Sequence, residues 1–282
     1  MKKEVLNKEE YFINQFIKSK YIGDDGAVVG SWVYSMDAFF ENVHFKREWM
    51  NLKQIAIKSM LINISDAIVM NAKPKFALLS VAIPSSFSKK ELKQLASGFN
   101  EVANKYGIQI IGGDTISNNK LDISVTIVSK IKKNNKPILR TGVKKDDIVC
   151  YTNNLGSVKA DLNRLLNNQK ISKKSKFITP KLNPKFFYKI GKYINSAMDI
   201  SDGLFFELER LSKSSSVGFD FFDNISNDVG CSGEEYEILF TFNKKYKNKI
   251  KKIAKKQNIK LNFIAVAKAG EFKCDCKNHH FQ

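Results

Sequence analysis

No apolar stretch in this 282-residue chain approaches the roughly 20 residues that a membrane-spanning helix needs. Nor does an apolar region follow Met1-Lys2-Lys3-Glu4, so no signal peptide is expected and the cytoplasm is the expected compartment. Neither G-x-G-x-x-G nor the Walker pattern G-x4-G-K-[ST] occurs, so a nucleotide would have to be held in another way. Cysteine is scarce, with four residues. Cys150 and Cys231 stand singly and read as ordinary thiols. Cys274 and Cys276 precede His279 and His280, but C-x-C-x2-H-H is not a usual structural zinc spacing, and a frayed tail is the expectation there.

Acidic residues are few beside basic ones: 28 Asp and Glu against 47 Lys and Arg, a formal charge of +19. The excess is mostly lysine, dispersed and with little aromatic interleaving, which suits solvated faces better than a nucleic-acid platform. Against that background the aspartates are not scattered. They gather in Gly23-Asp24-Asp25-Gly26, Ser35-Met36-Asp37, Asn63-Ile64-Ser65-Asp66, Gly112-Gly113-Asp114-Thr115 and Asp199-Ile200-Ser201-Asp202-Gly203, each near or beyond an apolar run. Singly, each has a plain reading as a turn or a helix cap. Together they supply what hard divalent cations need, oxygen ligands on rigid elements with room for phosphate oxygens. A metal-dependent enzyme handling phosphate is the expectation.

Strand and helix signals alternate along the chain. Ser31 to Met36 reads as a strand ending at Asp37, Leu52 to Ala67 as a helix, and Phe76 to Ile83 as a buried strand. Ser88-Lys89-Lys90-Glu91 is a capping box that opens a helix closed by Gly107. Ile108 to Ile111 reads as a short strand running into Gly112-Gly113-Asp114, and Leu121 to Ile127 alternates as a half-buried strand. Lys130 to Pro137 shifts to Lys, Asn and Pro and divides the chain into 1–137 and 138–282. The second half repeats the grammar, with strands at 148–151, 217–222, 236–242 and 261–266 and helices at 155–166, after 203 and at 244–255.

The order and content of these motifs resemble the thiamine-monophosphate kinase family of the aminoimidazole-ribonucleotide-synthetase-like superfamily. The resemblance runs from Ile22 to about Phe242 and also rests on Glu41-Asn42-Val43-His44-Phe45, Met70-Asn71-Ala72, Arg140-Thr141-Gly142 and Ser232-Gly233-Glu234-Glu235-Tyr236-Glu237. It implies a two-domain α+β fold of the PurM/AIR-synthetase-like kind, dimerising through its N-terminal sheet. It implies transfer of the ATP γ-phosphoryl group to thiamine monophosphate by direct in-line attack, with several Mg2+ ions and with K+ left open as a further cation. Asp25, Asp37, Asp66, Asp114, Asp199 and Asp202 match the family's magnesium ligands, with Ser35 and the main chain of Met36 beside them. Gly113, Asp114, Arg140 and Ser201 match ATP contacts, His44 and Glu234 match contacts to thiamine monophosphate, and Asp37, Asp66, Asp114 and Arg140 are the expected catalytic group. Met36 stands where the family usually has a hydroxyl residue, Glu235 where it has Asp, and its C-terminal aromatic has no clear counterpart. Other acceptors within the superfamily remain open. Selenophosphate synthetase uses a reactive residue near its N-terminus, whereas the first cysteine here is Cys150; the hydrogenase-maturation relative uses a C-terminal cysteine, and Cys276 is not last. A basic nucleic-acid-binding protein would leave the aspartates unexplained.

Overall fold

The computed structural model describes residues 8–16 and 19–276. After a short helix α1 (Lys8–Ile13), the first half builds β1 (Ala27–Val29), β2 (Trp32–Phe40), α2 (Leu52–Val69), β3 (Ala72–Pro84), α3 (Lys89–Tyr106), β4 (Gln109–Asn118) and β5 (Asp122–Ile131). Its five strands lie in the order β1-β2-β5-β3-β4. All neighbours are antiparallel except β3 and β4, which run parallel because α3 carries the chain back between them. The second half contributes β6 (Asp147–Thr152), α4 (Ser157–Leu166), α5 (Pro184–Ile190), β7 (Ser196–Asp199), α6 (Leu204–Ser215), β8 (Gly218–Phe221), α7 (Asn227–Gly230), β9 (Ile238–Asn243), α8 (Lys247–Lys255) and β10 (Leu261–Lys268). Its strands form a second sheet in the order β7-β9-β6-β10-β8. The architecture is the mixed α+β expected, built on two sheets. Among the described residues, no helix is long and apolar enough to cross a membrane.

Helix α2 is the element on which the site depends. It opens with a full capping box, Asn51 accepting from the Gln54 amide while the Gln54 side chain accepts from Asn51 N–H. It has almost no polar face, and apolar and polar side chains alike are buried along most of its length, from Ile55 to Val69. It packs on β2, β3 and β5 on one side and meets α3, α5 and β7 on others, so it lies between the two halves. A helix covered on all sides has no need of an amphipathic stripe. Polar groups within it, such as Lys58, Asn63, Ser65 and Asp66, are therefore brought into the interior by position.

The strands carrying aspartates run further than the sequence reading expected. β2 continues to Phe40, so Asp37 lies within it and pairs opposite Val125. β4 continues to Asn118, so Gly112, Gly113 and Asp114 lie inside a strand instead of beyond it. Both extensions follow from partners in the sheet: β3 spans Ala72–Pro84 and offers a ladder along the whole of β4 and β5. The paired glycines have a structural reason as well. The β3–β4 register shifts by one residue beside Gly112, and a Cβ on Gly113 would lie 1.8 Å from Leu79 O.

Cys231 is not a thiol as the sequence reading had it: it is disulfide-bonded to Cys276, while Cys150 is free and buried and Cys274 is free. His279 and His280 lie outside the described residues.

Candidate active site

A cleft of about 580 Å3 opens between the two sheets where α2, β2, β7 and the start of α6 converge. Asp25, Met36, Asp37, His44, Asp66, Arg140, Asp199, Ser201, Asp202 and Glu234 all line it. Residues more than two hundred positions apart, Asp25 and Glu234 among them, thus line one cleft. Ser35, Gly113 and Asp114 do not line it. The Ser35 hydroxyl is buried and donates to Asn63 O at 3.2 Å. Asp114 is exposed on β4 and accepts from the Thr115 amide at 2.9 Å. In register Asp114 faces Ser80, Ser124 and then Ala38 of β2, which puts it about 14 Å from the cleft edge at ~4.8 Å per strand.

The centre of the cleft is a triad of carboxylates. One oxygen from each of Asp25, Asp66 and Asp199 lies within 4.8 Å of the others. Each comes from a different element: Asp25 from the turn before β1, Asp66 from the last turns of α2, Asp199 from the end of β7. Asp37 approaches from β2, where its amide is fixed by Asn63 Oδ1 at 2.8 Å. Asn63 in turn is held by its own donation to Ser59 O. Burial raises the Asp37 pKa to about 6, reinforced by Asp25 and Asp202 and opposed by a hydrogen bond with Asp66 and by Arg140. Burial also pushes Asp66 and Asp199 well above the usual carboxylate range, with their acidic neighbours adding to it. Carboxylates gathered this closely could serve as the donor set of a hard cation: oxygen only and rigidly mounted. The residues present fit a divalent metal.

Two arginines border the triad. Arg140 donates from Nε and Nη2 to Asp25 Oδ1 at 3.2 and 2.6 Å, and its amide donates to Asp24 Oδ1 at 2.6 Å. Burial works against its charge, yet Asp25 more than restores it and raises the pKa. Arg210, which the sequence reading passed over, donates to Asp202 Oδ2 at 2.5 Å and Glu207 Oε2 at 2.7 Å. Glu207 is wholly buried and also accepts from the Asp202 amide and the Ser201 hydroxyl, so it organises the loop before α6. The signal for both was present: Glu207 interrupts the apolar stripe of Leu204, Leu208 and Leu211, and Arg210 follows it by three residues.

The far side of the cleft is formed by the turn after α7. Glu234 and Tyr236 both adopt left-handed backbone conformations, φ +54° and +50°, which non-glycine residues seldom hold without compensation. Their amides donate to Ser201 O and Ile200 O at 2.6 and 2.8 Å. Between them Glu235 turns inward. Its Oε1 accepts from the Gly156 and Val158 amides at the start of α4 and its Oε2 pairs with Lys176 at 2.7 Å. The additional methylene over an aspartate is used to reach an N-terminus that has no side-chain cap of its own. His44 Nδ1 accepts from the Phe40 amide at 3.0 Å, which assigns the proton of a neutral ring to Nε2.

The family described as AIR synthase related protein, N-terminal domain, matches residues 23–131. The chain is 34% identical over 219 residues to thiamine-monophosphate kinase of Bacillus subtilis, across 72% of this chain and 67% of that protein. It is 32% identical over a 302-residue alignment to thiamine-monophosphate kinase of Buchnera aphidicola subsp. Schizaphis graminum, across 95% and 91% of the two chains. Among solved structures, AaThiL complexed with AMPPCP and TMP has the same fold, with a TM-score of 0.83 at 24% identity over 96% of this chain and 94% of that one. With its carboxylate cleft and these relatives along most of its length, the chain belongs to the thiamine-monophosphate kinase family.

Proposed function

We propose that the protein transfers the γ-phosphoryl group of ATP to the phosphate of thiamine monophosphate, forming thiamine diphosphate. The observation that carries this reading is the convergence of Asp25, Asp66 and Asp199 oxygens within 4.8 Å, beside Arg140, in a chain of this family. The binding of AMPPCP and TMP by AaThiL supports both substrates. Asp25, Asp37, Asp66, Asp199 and Asp202, with the main chain of Met36 beside them, would hold Mg2+, which would supply charge neutralisation for the gathered phosphates; Ser35, the other expected ligand, is buried with its hydroxyl donated to Asn63 O. K+ is a further candidate for the same acidic wall. Arg140, rigidly forked by Asp25, is aimed to hold a phosphate through its remaining donors. Ser201, at the loop before α6, offers a hydroxyl to the nucleotide. His44 and Glu234, on the far side, suit the thiamine end. The attacking phosphate is already ionised near neutral pH, so no general base is required.

We read the chain as two domains, 1–137 and 138–282, paired as a homodimer through the first sheet. Tyr34, Met36, Leu78, Ile111 and Ile116 leave an exposed apolar face on β2, β3 and β4, which a second copy would cover. Gly113 and Asp114, distant from the cleft of their own chain, would then serve the ATP phosphates of the partner's cleft. Soluble, nucleotide-fed chemistry of this kind suits the cytoplasm. The test is formation of thiamine diphosphate from ATP and thiamine monophosphate with and without Mg2+. Product only with Mg2+ is expected; no product despite ATP binding would redirect the search to another anionic acceptor.

A further inference from the structure

The middle of α2 holds a cation where the helix is otherwise enclosed. Lys58 is 0% exposed. Its ammonium lies 4.3 Å from the ring centroid of Phe177 and 5.5 Å from that of Phe39, and it donates to Glu234 Oε2 at 2.9 Å. An ammonium taken wholly out of water is retained only where a partner and ring faces compensate for its lost hydration. Here the partner comes from 176 positions further along the chain, from the opposite wall of the cleft.

The pairing constrains Glu234 from both ends. Its backbone sits at φ +54° with its amide donated to Ser201 O, and its carboxylate is drawn to Lys58 through Oε2. Among the described residues Oε1 makes no protein hydrogen bond, and the side chain remains 26% exposed in the cleft. One oxygen is thus anchored and the other is presented. The acceptor of the proposed reaction ends, away from its phosphate, in a cationic thiazolium and an amino-substituted pyrimidine. A fixed anionic oxygen can pair with the first or accept a hydrogen bond from the second.

We propose that Lys58 is a positioning residue for acceptor specificity: its buried ammonium sets the Glu234 carboxylate so that Oε1 faces the cationic, amino-bearing end of the acceptor. This rests on the functional reading above. Lys58 is fully buried and does not itself line the cleft, so its role lies in the affinity for thiamine monophosphate and not in the chemical step.

The experiment is steady-state kinetics of Lys58→Met, Glu234→Gln and the double variant. Methionine fills the space and packs well against Phe39 and Phe177. The expected result is a rise of about tenfold in KM for thiamine monophosphate in each single variant, with kcat and the KM for ATP within about twofold of wild type. The double variant should be no worse than the weaker single one, because both changes break one unit. An unchanged KM for thiamine monophosphate in folded Lys58→Met, equal losses toward ATP and the acceptor, or effects that multiply in the double variant would each overturn the proposal. If Lys58→Met is not obtained folded, Lys58→Gln takes its place, and failure of both to fold assigns the lysine a purely structural role and overturns it too. Wild-type protein that forms no thiamine diphosphate overturns both readings, whereas active wild type with an indifferent Lys58→Met overturns this one alone.

Discussion

At the scale of single residues, the cleft trades stability for a charged wall. Asp66 lies among Asp25, Asp37 and Asp199, and burial together with those neighbours disfavours its ionised form. Asp66→Asn removes an ionisable carboxyl from that cluster while keeping the shape. We expect turnover to fall about a hundred- to a thousandfold, the loss of an essential electrostatic group, while the metal-free protein keeps or gains about 1 kcal/mol, roughly 2–4 °C in melting temperature. Melting without Mg2+ and product assay with it check the two halves. The pH dependence follows from Asp37. Its pKa is about 6 in the fold, where burial favours the protonated form, against roughly 3.9 unfolded. Between those values the folded state binds more protons, so this contribution to stability is present below about pH 4 and is lost as pH rises through about 6. Metal-free protein should therefore lose melting temperature across that interval, and Mg2+ should cancel the loss because it replaces the proton. Melting curves from pH 4 to 8, with chelator and with Mg2+, test the sign.

At the scale of elements, α6 shows how a helix can serve the core and the cleft together. Leu204, Leu208 and Leu211 bury one stripe, and Glu207 on the same stripe is held by Arg210 and the Asp202 amide. Arg210→Ala leaves a fully buried carboxylate without its cation. A loss of about 3 kcal/mol is expected, read as a fall of roughly 6–12 °C in melting temperature; an unaltered melt would show that Glu207 is satisfied by its other partners. Elements with local punctuation were legible in the sequence. α3 begins after its capping box at Ser88 and ends at Gly107 in a left-handed conformation, φ +65°. β2 and β4 were not read to their full lengths, because their later residues are extended through pairing with β5 and β3 and carry no local signal of their own.

At the scale of the whole molecule, the proposed pairing of first sheets has a direct consequence. Asp66 serves the cleft of its own chain, while Asp114 would serve its partner's. Asp66→Asn and Asp114→Asn proteins should each be inactive alone, yet a mixed dimer contains one cleft with both aspartates intact. Mixing the two after subunit exchange should restore a measurable fraction of activity, up to about a quarter of wild type by simple random pairing. No recovery, with exchange demonstrated independently, would place Asp114 in the service of its own chain or outside the site.

The sequence by itself determined the acidic character of the cleft and most of the residues that line it. Carboxylates concentrated against the run of a lysine-rich chain, with Arg140, Ser201, His44 and Glu234 in motif order, mark out residues that the fold then gathers in one cleft. Their residue types are local facts. Only the tertiary structure decided which oxygens meet. Asp25, Asp66 and Asp199 converge because a turn, a buried helix and a strand end are packed together by two sheets. The same packing leaves Asp114 outside, buries Lys58 against Glu234 and turns Glu235 away to cap α4. Those outcomes depend on contacts between residues far apart in the chain, and the energetics of burial that select them act only once the halves have closed around α2.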